Sequence, residues 1–472
     1  MKIKIGLEIH CQLTALKSKL FCSCPSDYRG KQPNANICPI CLGLPGTLPL
    51  LNKKALDQSS MISLALNCTI PDVLSFFRKN YFYPDLPKNF QITQYNSYQI
   101  RSIGTDGGVE FDHKKVRIRR IQLEEDPGRL LYESGETSLY TLVDYNRAGV
   151  ALVEIVTEPD FDNPKDVRLF LNKLTSVLEH LGACDTRLEG AVRCDANVSL
   201  EEGKKVEIKN VSSFKEVEKA LLFEISRQKN LGTKGIEVKS ETRHWDDTRR
   251  ITIQSRTKEE EQDYRYFPET DIPAVCLGND LISSLTKQMP ELPDARKSRF
   301  IEKLGLLEQV AQILIDDKDM ADFFEESVKL YDNAKEISNW VVTDLKGLVN
   351  EVDGMCSVKI KPAHIAELAR FVDQSTISRN TAKQILQQIV KSGEMPSAVM
   401  KKLQAKQISD EEALAEIVDD VFAKETSAVQ DALKNENAIN FLVGQVMQST
   451  KGRADPKIAT ELIRKKLASI ST

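Results

Sequence analysis

Glu8, His10 and Gln12 stand two residues apart in the stretch GLEIHCQL, interleaved with Leu7, Ile9, Cys11 and Leu13. In an extended chain alternate side chains point to opposite faces, so the apolar set enters a core while the polar set shares the other face. Neighbours on one strand face lie roughly 6.5 Å apart, close enough for a carboxylate and an imidazole to reach toward one metal ion. A half-exposed strand with ordinary polar residues satisfies the same pattern, so the other acids have to be weighed with it. LEEDPG sets Glu124, Glu125 and Asp126 together at the end of a strand-like run, and GVALVEIVTEP puts Glu154 inside an apolar one. That run reads as a strand buried on both faces. A carboxylate there is costly unless it meets a cation, a metal or a polar cleft. VRCDANVSL alternates again, with Arg193, Asp195, Asn197 and Ser199 on one face. Each acid alone reads as a structural ion pair. Several strands with acids on one face point to a polar cleft, where hard carboxylate oxygens suit magnesium and magnesium suits nucleotide phosphates.

The cysteines offer a second chemistry. FCSCPSDY and NICPICLG place Cys22 with Cys24 and Cys38 with Cys41. Two close pairs across a short loop can wrap a tetrahedral zinc ion, and four thiolates leave no open position, so such a zinc is structural. Four unpaired cysteines of a reducing compartment are the alternative. Cys11, Cys68, Cys184, Cys194, Cys276 and Cys356 are expected to be small buried fillers. The sequence contains no G-x-x-x-x-G-K-[ST] and no G-x-S-x-G; a standard phosphate loop and a serine-elbow hydrolase are therefore not expected. FRKNYFYPDLPKNFQITQYN mixes Arg78, Lys79 and Lys88 with Tyr81, Phe82, Tyr83 and Phe90. It could stack on and neutralise a nucleic-acid end, or form a surface loop.

The elements that must position these residues follow from periodicity. Strands are expected at Lys2–Leu13, Val116–Leu123, Ala151–Val156, Val192–Leu200 and Val206–Val211, with GTDGG (Gly104–Gly108) as a hairpin loop. Helices are expected at Lys165–Leu181 and from Ser213, where Ser213 and Glu216 form a capping box. After KQMPELPDARKSRF the pattern turns helical, and KSGEMPSAVM marks a second break. The expected class is α+β: a mixed α/β domain over 1–290, a helical domain over 291–405 and a small helical tail over 406–472. At 472 residues the chain is too long for one typical core. A net charge of −4 argues against a generally basic nucleic-acid binder but leaves room for one shaped contact surface. With no signal-like leader and no apolar run of about 18 residues, a cytoplasmic location is expected and no membrane partner.

GLEIHCQL, RKNYFYPDLPKNFQITQYN, LEEDPGR, DYNRAGVALVEIVTEPD, RCDANVSL, EIKNVSSF, DYRYFPETDIP and FLVGQVMQSTKGRADP together resemble the B subunit of the tRNA-dependent amidotransferase, the GatB family. They run in order from residue 5 to about residue 466. The resemblance implies a cradle-shaped α/β domain, a helical domain and a tail that contacts tRNA. It implies ATP- and magnesium-dependent phosphorylation of the side-chain carboxylate of glutamate on tRNA(Gln), or of aspartate on tRNA(Asn). Ammonia channelled from an amidase-type A subunit, which releases it from glutamine, then displaces phosphate, and a small C subunit completes the complex. Carried over by motif, Glu8, His10, Glu125 and Glu154 are the magnesium set; Lys79, Tyr81, Lys88 and Asp195 line the substrate and ammonia route. Pro127 departs from the alanine often found there. The tail gathers Lys451, Arg453, Lys457, Arg464, Lys465 and Lys466 against Asp455 and Glu461, and Lys451, Arg453, Lys465 and Lys466 are its expected tRNA contacts. A noncatalytic tRNA-binding scaffold, or another metal-dependent ligase acting on tRNA, would share parts of this pattern.

Overall fold

A computed structural model of the chain describes residues 2–96, 102–112, 114–134, 139–201, 203–257, 264–352, 355–403, 411–434, 438–450, 454 and 456–470. It divides into two compact units, Met1–Pro293 and Asp294–Thr472. The first is built on an eight-stranded sheet, the second is helical, and the class is α+β.

The strands of the large sheet run in the order Ile251–Thr257, Glu241–Asp246, Val206–Lys209, Val192–Leu200, Ile3–Gln12, Ala151–Thr157, Lys114–Glu125 and Gly104–Phe111. Neighbours are antiparallel except Val206–Lys209 beside Glu241–Asp246, which are parallel. The N-terminal strand thus lies inside the sheet, with Val192–Leu200 on one side and Ala151–Thr157 on the other. Its apolar residues Ile5, Leu7, Ile9 and Cys11 are buried in the main core. The helices Pro164–His180 and Phe214–Thr233 contribute Val167, Phe170, Leu174, Val217 and Leu221 to that core. Asn163 caps the first through Lys165 N, with Pro164 in the first turn, where its missing N–H has no partner to lose. Ser213 caps the second through Glu216 N. The reciprocal half of that box is replaced: the Glu216 carboxylate takes Lys219 and the Trp245 indole instead.

Gly104–Gly108 is not a hairpin loop but the start of a strand. Its glycines answer a packing need. A Cβ on Gly104 would lie 2.6 Å from Ser63 Oγ, and one on Gly107 would press on Cys68 and on Leu66 O at 2.6 Å. The strand can pass this close to the Lys53–Ala65 helix and the turn after it only without side chains there. Cys11, Cys68, Cys184 and Cys194 are buried as expected; Cys276 is exposed, on a two-residue edge strand paired with Val73–Leu74. A smaller three-stranded sheet joins Phe77–Asn80 with Phe90–Thr93 and Phe267–Pro268.

In the second unit, one core gathers around Phe300, Phe324, Trp340, Leu345, Leu368 and Ile385. A separate core contains Leu414, Val418, Leu442, Val446, Ile463 and Leu467. Among the described residues no helix is long and apolar enough to cross a membrane.

Candidate active site

Register decides which polar side chains meet. His10 stands opposite Glu154, and Glu8 opposite Asp195, across the two ladders that flank the N-terminal strand. Gln122 pairs with Glu154 from the far side, which sets Arg120, Gln122 and Glu124 along the same sheet face. His10 Nε2 lies 3.8 Å from Glu8 Oε1, 3.7 Å from Glu124 Oε1 and 3.9 Å from Glu154 Oε2. These distances are too long for hydrogen bonds. They match the span of a small divalent cation's coordination sphere, about 4 Å between opposite ligands.

Electrostatics reflect the crowding. Burial, with Glu8 and Glu124 close by, pushes the Glu154 carboxyl up to about 7. Loss of water also opposes charge on Glu8, but His10, Lys209, Lys79 and Arg120 outweigh it and hold that carboxyl at about 2. Lys79 loses water too, yet Tyr266, Glu124, Tyr81 and Glu154 raise it above the ordinary lysine range. Its ammonium lies 4.6 Å from the Tyr264 ring centroid and 5.6 Å from that of Tyr81. Burial raises Asp195, while Lys209, 2.6 Å away, pulls against it. Arg120 reaches Glu154 Oε1 at 3.4 Å and Gln122 Oε1 at 3.1 Å.

Glu125 does not join this cluster. As the strand neighbour of Glu124 it points to the opposite face, where Lys88 Nζ holds both its oxygens and Ile92 N donates to it at 2.8 Å. Lys88 and Glu125 line a cavity of about 220 Å³ beside Cys22 and Cys41. Lys79, Tyr81 and Asp195 line the cleft with Glu8, His10 and Glu154. Of the other bases in the aromatic-rich stretch, Arg78 is committed to Glu269, at 2.7 and 2.8 Å, and to Asp271. Glu124, Arg120 and Lys209 are among the residues at the site that sequence reasoning left without a role. The two-residue spacing of Arg120, Gln122 and Glu124, and of Glu207 and Lys209, carries the signal that places them.

Asp126, which also lines the cleft, is almost fully buried. Gln12 Nε2 donates to it at 2.6 Å and Arg193 Nη2 at 2.7 Å, with Arg147 Nε at 3.8 Å. Burial opposes its charge, but these cations hold its carboxyl below the usual range.

The sulfur atoms of Cys22, Cys24, Cys38 and Cys41 lie within 4.8 Å of one another. The donor set fits zinc. The four are free thiols, Cys38 N donates to Cys41 Sγ at 3.1 Å, and a fully buried Lys19 places Nζ 3.7 Å from the same sulfur. Four thiolates around a divalent ion leave two net negative charges, and a buried ammonium offsets one of them. In the tail, Lys465 is exposed, whereas Lys466 pairs with Asp419 and lies 5.2 Å from the Phe422 ring. Lys451 and Arg453 fall outside the described residues.

A large sheet that presents a cluster of carboxylates, a histidine and several cations across one water-accessible cleft has the make-up of an enzyme working on charged substrates. Residues 3–283 match the family described as the GatB/GatE catalytic domain, and residues 322–467 the GatB domain. The chain is 48% identical over 467 residues to the B subunit of the aspartyl/glutamyl-tRNA(Asn/Gln) amidotransferase of Sulfurisphaera tokodaii, covering 98% of this chain and 99% of that one. The proteins of the same description from Carboxydothermus hydrogenoformans and Thermotoga maritima are each 43% identical, over 477 and 478 residues and at least 98% of every chain. The chain belongs to the GatB family of tRNA amidotransferase subunits.

Proposed function

We propose that this chain is the activating subunit of a cytoplasmic glutamine-dependent tRNA amidotransferase. It takes aspartate on tRNA(Asn), glutamate on tRNA(Gln), or both, and works with an amidase-type A subunit and a small C subunit. A side-chain carboxylate is a poor acceptor for ammonia because its leaving group would be oxide. ATP removes the difficulty. A carboxylate oxygen bonds to the γ-phosphorus, the bond from that phosphorus to the β-bridging oxygen breaks, and ADP leaves with the electron pair. Ammonia then attacks the acyl carbon, phosphate departs with the C–O pair, and the nitrogen loses one proton.

The convergence of Glu8, His10 and Glu154 beside Lys79 and Lys209, in a chain of this family, carries the proposal. Glu8, His10 and Glu154 would hold magnesium, with Glu124 in reach; carboxylates are the hard donors that ion prefers. An ion held there would supply charge neutralisation to the phosphates during transfer. Lys79 and Lys209 hold the departing phosphate oxygens in an environment that keeps both side chains charged. Asp195 orients Lys209 through their 2.6 Å contact, and Tyr81 flanks Lys79 along the path of substrate and ammonia. Lys88, in the turn before Phe90–Thr93, pairs with Glu125 on the cysteine side of the Lys114–Glu125 strand, where ammonia would pass earlier. Cys22, Cys24, Cys38 and Cys41 would bind a structural zinc that shapes this side.

The test is Glu154→Gln in the assembled complex. ADP release dependent on misacylated tRNA should fall on the order of 100-fold, while glutamine hydrolysis by the amidase-type partner continues. Acyl-phosphate formation at near wild-type rate in that variant would refute the assignment.

A further inference from the structure

The strand Phe77–Asn80 carries two cations on opposite faces. Lys79 lines the cleft, and Arg78 lines the cavity beside Cys22 and Cys41. Arg78 is closely held. The Glu269 carboxylate takes it in a two-bond fork, Nε at 2.7 Å and Nη2 at 2.8 Å, and Asp271 Oδ2 takes Nη2 at 3.2 Å. Its guanidinium lies 4.4 Å from the Phe90 ring centroid and 5.7 Å from that of Phe267. The Glu269 side chain is only 1% exposed. A fork of this kind, with its carboxylate out of water, fixes geometry far better than an exposed ion pair.

Glu269 fastens a segment whose own ladder is slight. The strand Phe267–Pro268 forms two pairs, with Arg78 and Phe77, and both its residues are exposed. So short a ladder with no buried side chain is a weak hold. Just before it Arg265 takes a φ of 45°, a left-handed conformation that a residue with a Cβ keeps only where its surroundings fix it. Two hydrogen bonds tie the segment to the Lys79 strand: Asn80 Nδ2 donates to Arg265 O at 2.8 Å, and Glu269 N to Phe76 O at 2.8 Å. Between these ties stand the rings that meet Lys79. Tyr264 has its centroid 4.6 Å from Lys79 Nζ and lies against Tyr266, which stacks on Tyr95 at 4.3 Å and 11°. A ring face holds an ammonium without engaging its N–H groups with an oxygen, so those donors stay available for phosphate.

We propose that Glu269 is a positioning residue for Lys79: by clasping Arg78 it locks the Tyr264–Tyr266 segment onto the strand and so fixes the Lys79 ammonium in the cleft. The inference rests on Lys79 serving ATP-dependent activation there. Neither Arg78 nor Glu269 lines the cleft, so the pair acts from the far face of the strand. Lysine carries a long, flexible side chain, and holding it in one place before the reaction is what such a brace supplies.

The experiment measures single-turnover ADP release dependent on misacylated tRNA in the assembled complex. It compares wild type, Glu269→Gln, Lys79→Met and the double variant. Glu269→Gln keeps the shape and should slow release on the order of 10-fold, and Lys79→Met on the order of 100-fold. The double variant should be no slower than Lys79→Met, because nothing is left to position. A merely structural role would multiply the two losses instead. Arg78→Lys keeps the charge but loses the fork, and it repeats the first arm if Glu269→Gln does not fold. Wild-type release in Glu269→Gln, or multiplied losses in the double variant, would overturn the coupling and leave activation in the cleft standing. Wild-type release in Lys79→Met would instead remove Lys79 from the activation chemistry, and this inference with it.

Discussion

Glu124 and Glu125 are neighbours in the chain and serve different cavities. Glu124 Oε1 is 3.7 Å from His10 Nε2 in the cleft, and Glu125 is clasped by Lys88 on the opposite face of the strand. Their variants should therefore fail differently. Glu124→Gln keeps its bond from Thr93 Oγ1, 2.8 Å in the native chain, so stability should hold while ATP-dependent activation falls on the order of 100-fold. Glu125→Ala strands a largely buried Lys88 and should cost about 3–5 kcal/mol of stability. Urea midpoints and single-turnover ADP release, measured on both, check the pair. Equal stability losses would show that the two faces are not separated as described.

Asp126 contributes to the acid limb of stability. Its folded value lies below the unfolded one of about 3.9, so its contribution is complete above that pH and is lost as pH falls through the folded value. Asp126→Asn leaves Arg193 and Arg147 without their buried partner and should cost about 3–5 kcal/mol at pH 7. The gap between variant and wild type should narrow only below about pH 4. Unfolding curves from pH 7 down to pH 2 test this; a gap that does not change across that range would refute it.

Zinc at the cysteine cluster should be retained through metal-free washing at about one per chain. Lys19→Met removes the buried ammonium beside Cys41 and should weaken retention about 10- to 100-fold, read by competition with a chromogenic chelator. Removing the metal should lower the melting temperature by about 2–4 °C for each kcal/mol it contributes. A wild-type protein that folds and melts identically with no bound metal would exclude the site.

Much of the cleft was legible because strand alternation is rigid. Val192–Leu200 forms over the span its pattern implies, and the two-residue spacing of Glu8 and His10 puts both in the cleft. Glu154 lies in the polar cleft with Arg120 3.4 Å away, one of the surroundings expected for a carboxylate in an apolar strand. The choice between Glu124 and Glu125 was not legible. Parity along one strand does not say which face of it meets His10; only the pairing of Gln122 with Glu154 does. GTDGG failed for a related reason: glycines that turn a chain and glycines that clear space for a neighbouring helix are the same residues, and only Ser63 and Cys68 decide between them. Cys276 was misplaced because a lone small residue in a two-residue edge strand carries no periodicity.

Two adjacent lysines of the tail have different surroundings. Lys465 is exposed, whereas Lys466 already pairs with Asp419 and sits over Phe422. If this module grips tRNA, Lys465→Ala should weaken binding at low salt and lower the slope of log K against log salt by about one, the mark of one lost phosphate contact. Lys466→Ala should instead cost up to about 1 kcal/mol in melting of the tail, since its partner is largely exposed and screened by water, and leave the salt slope nearer to wild type. Truncation before residue 411 should raise KM for misacylated tRNA and spare glutamine hydrolysis. Titrations of the complex with tRNA at several salt concentrations distinguish these outcomes. A truncated complex that binds tRNA with full affinity and an unchanged salt slope would assign the grip to other parts of the assembly.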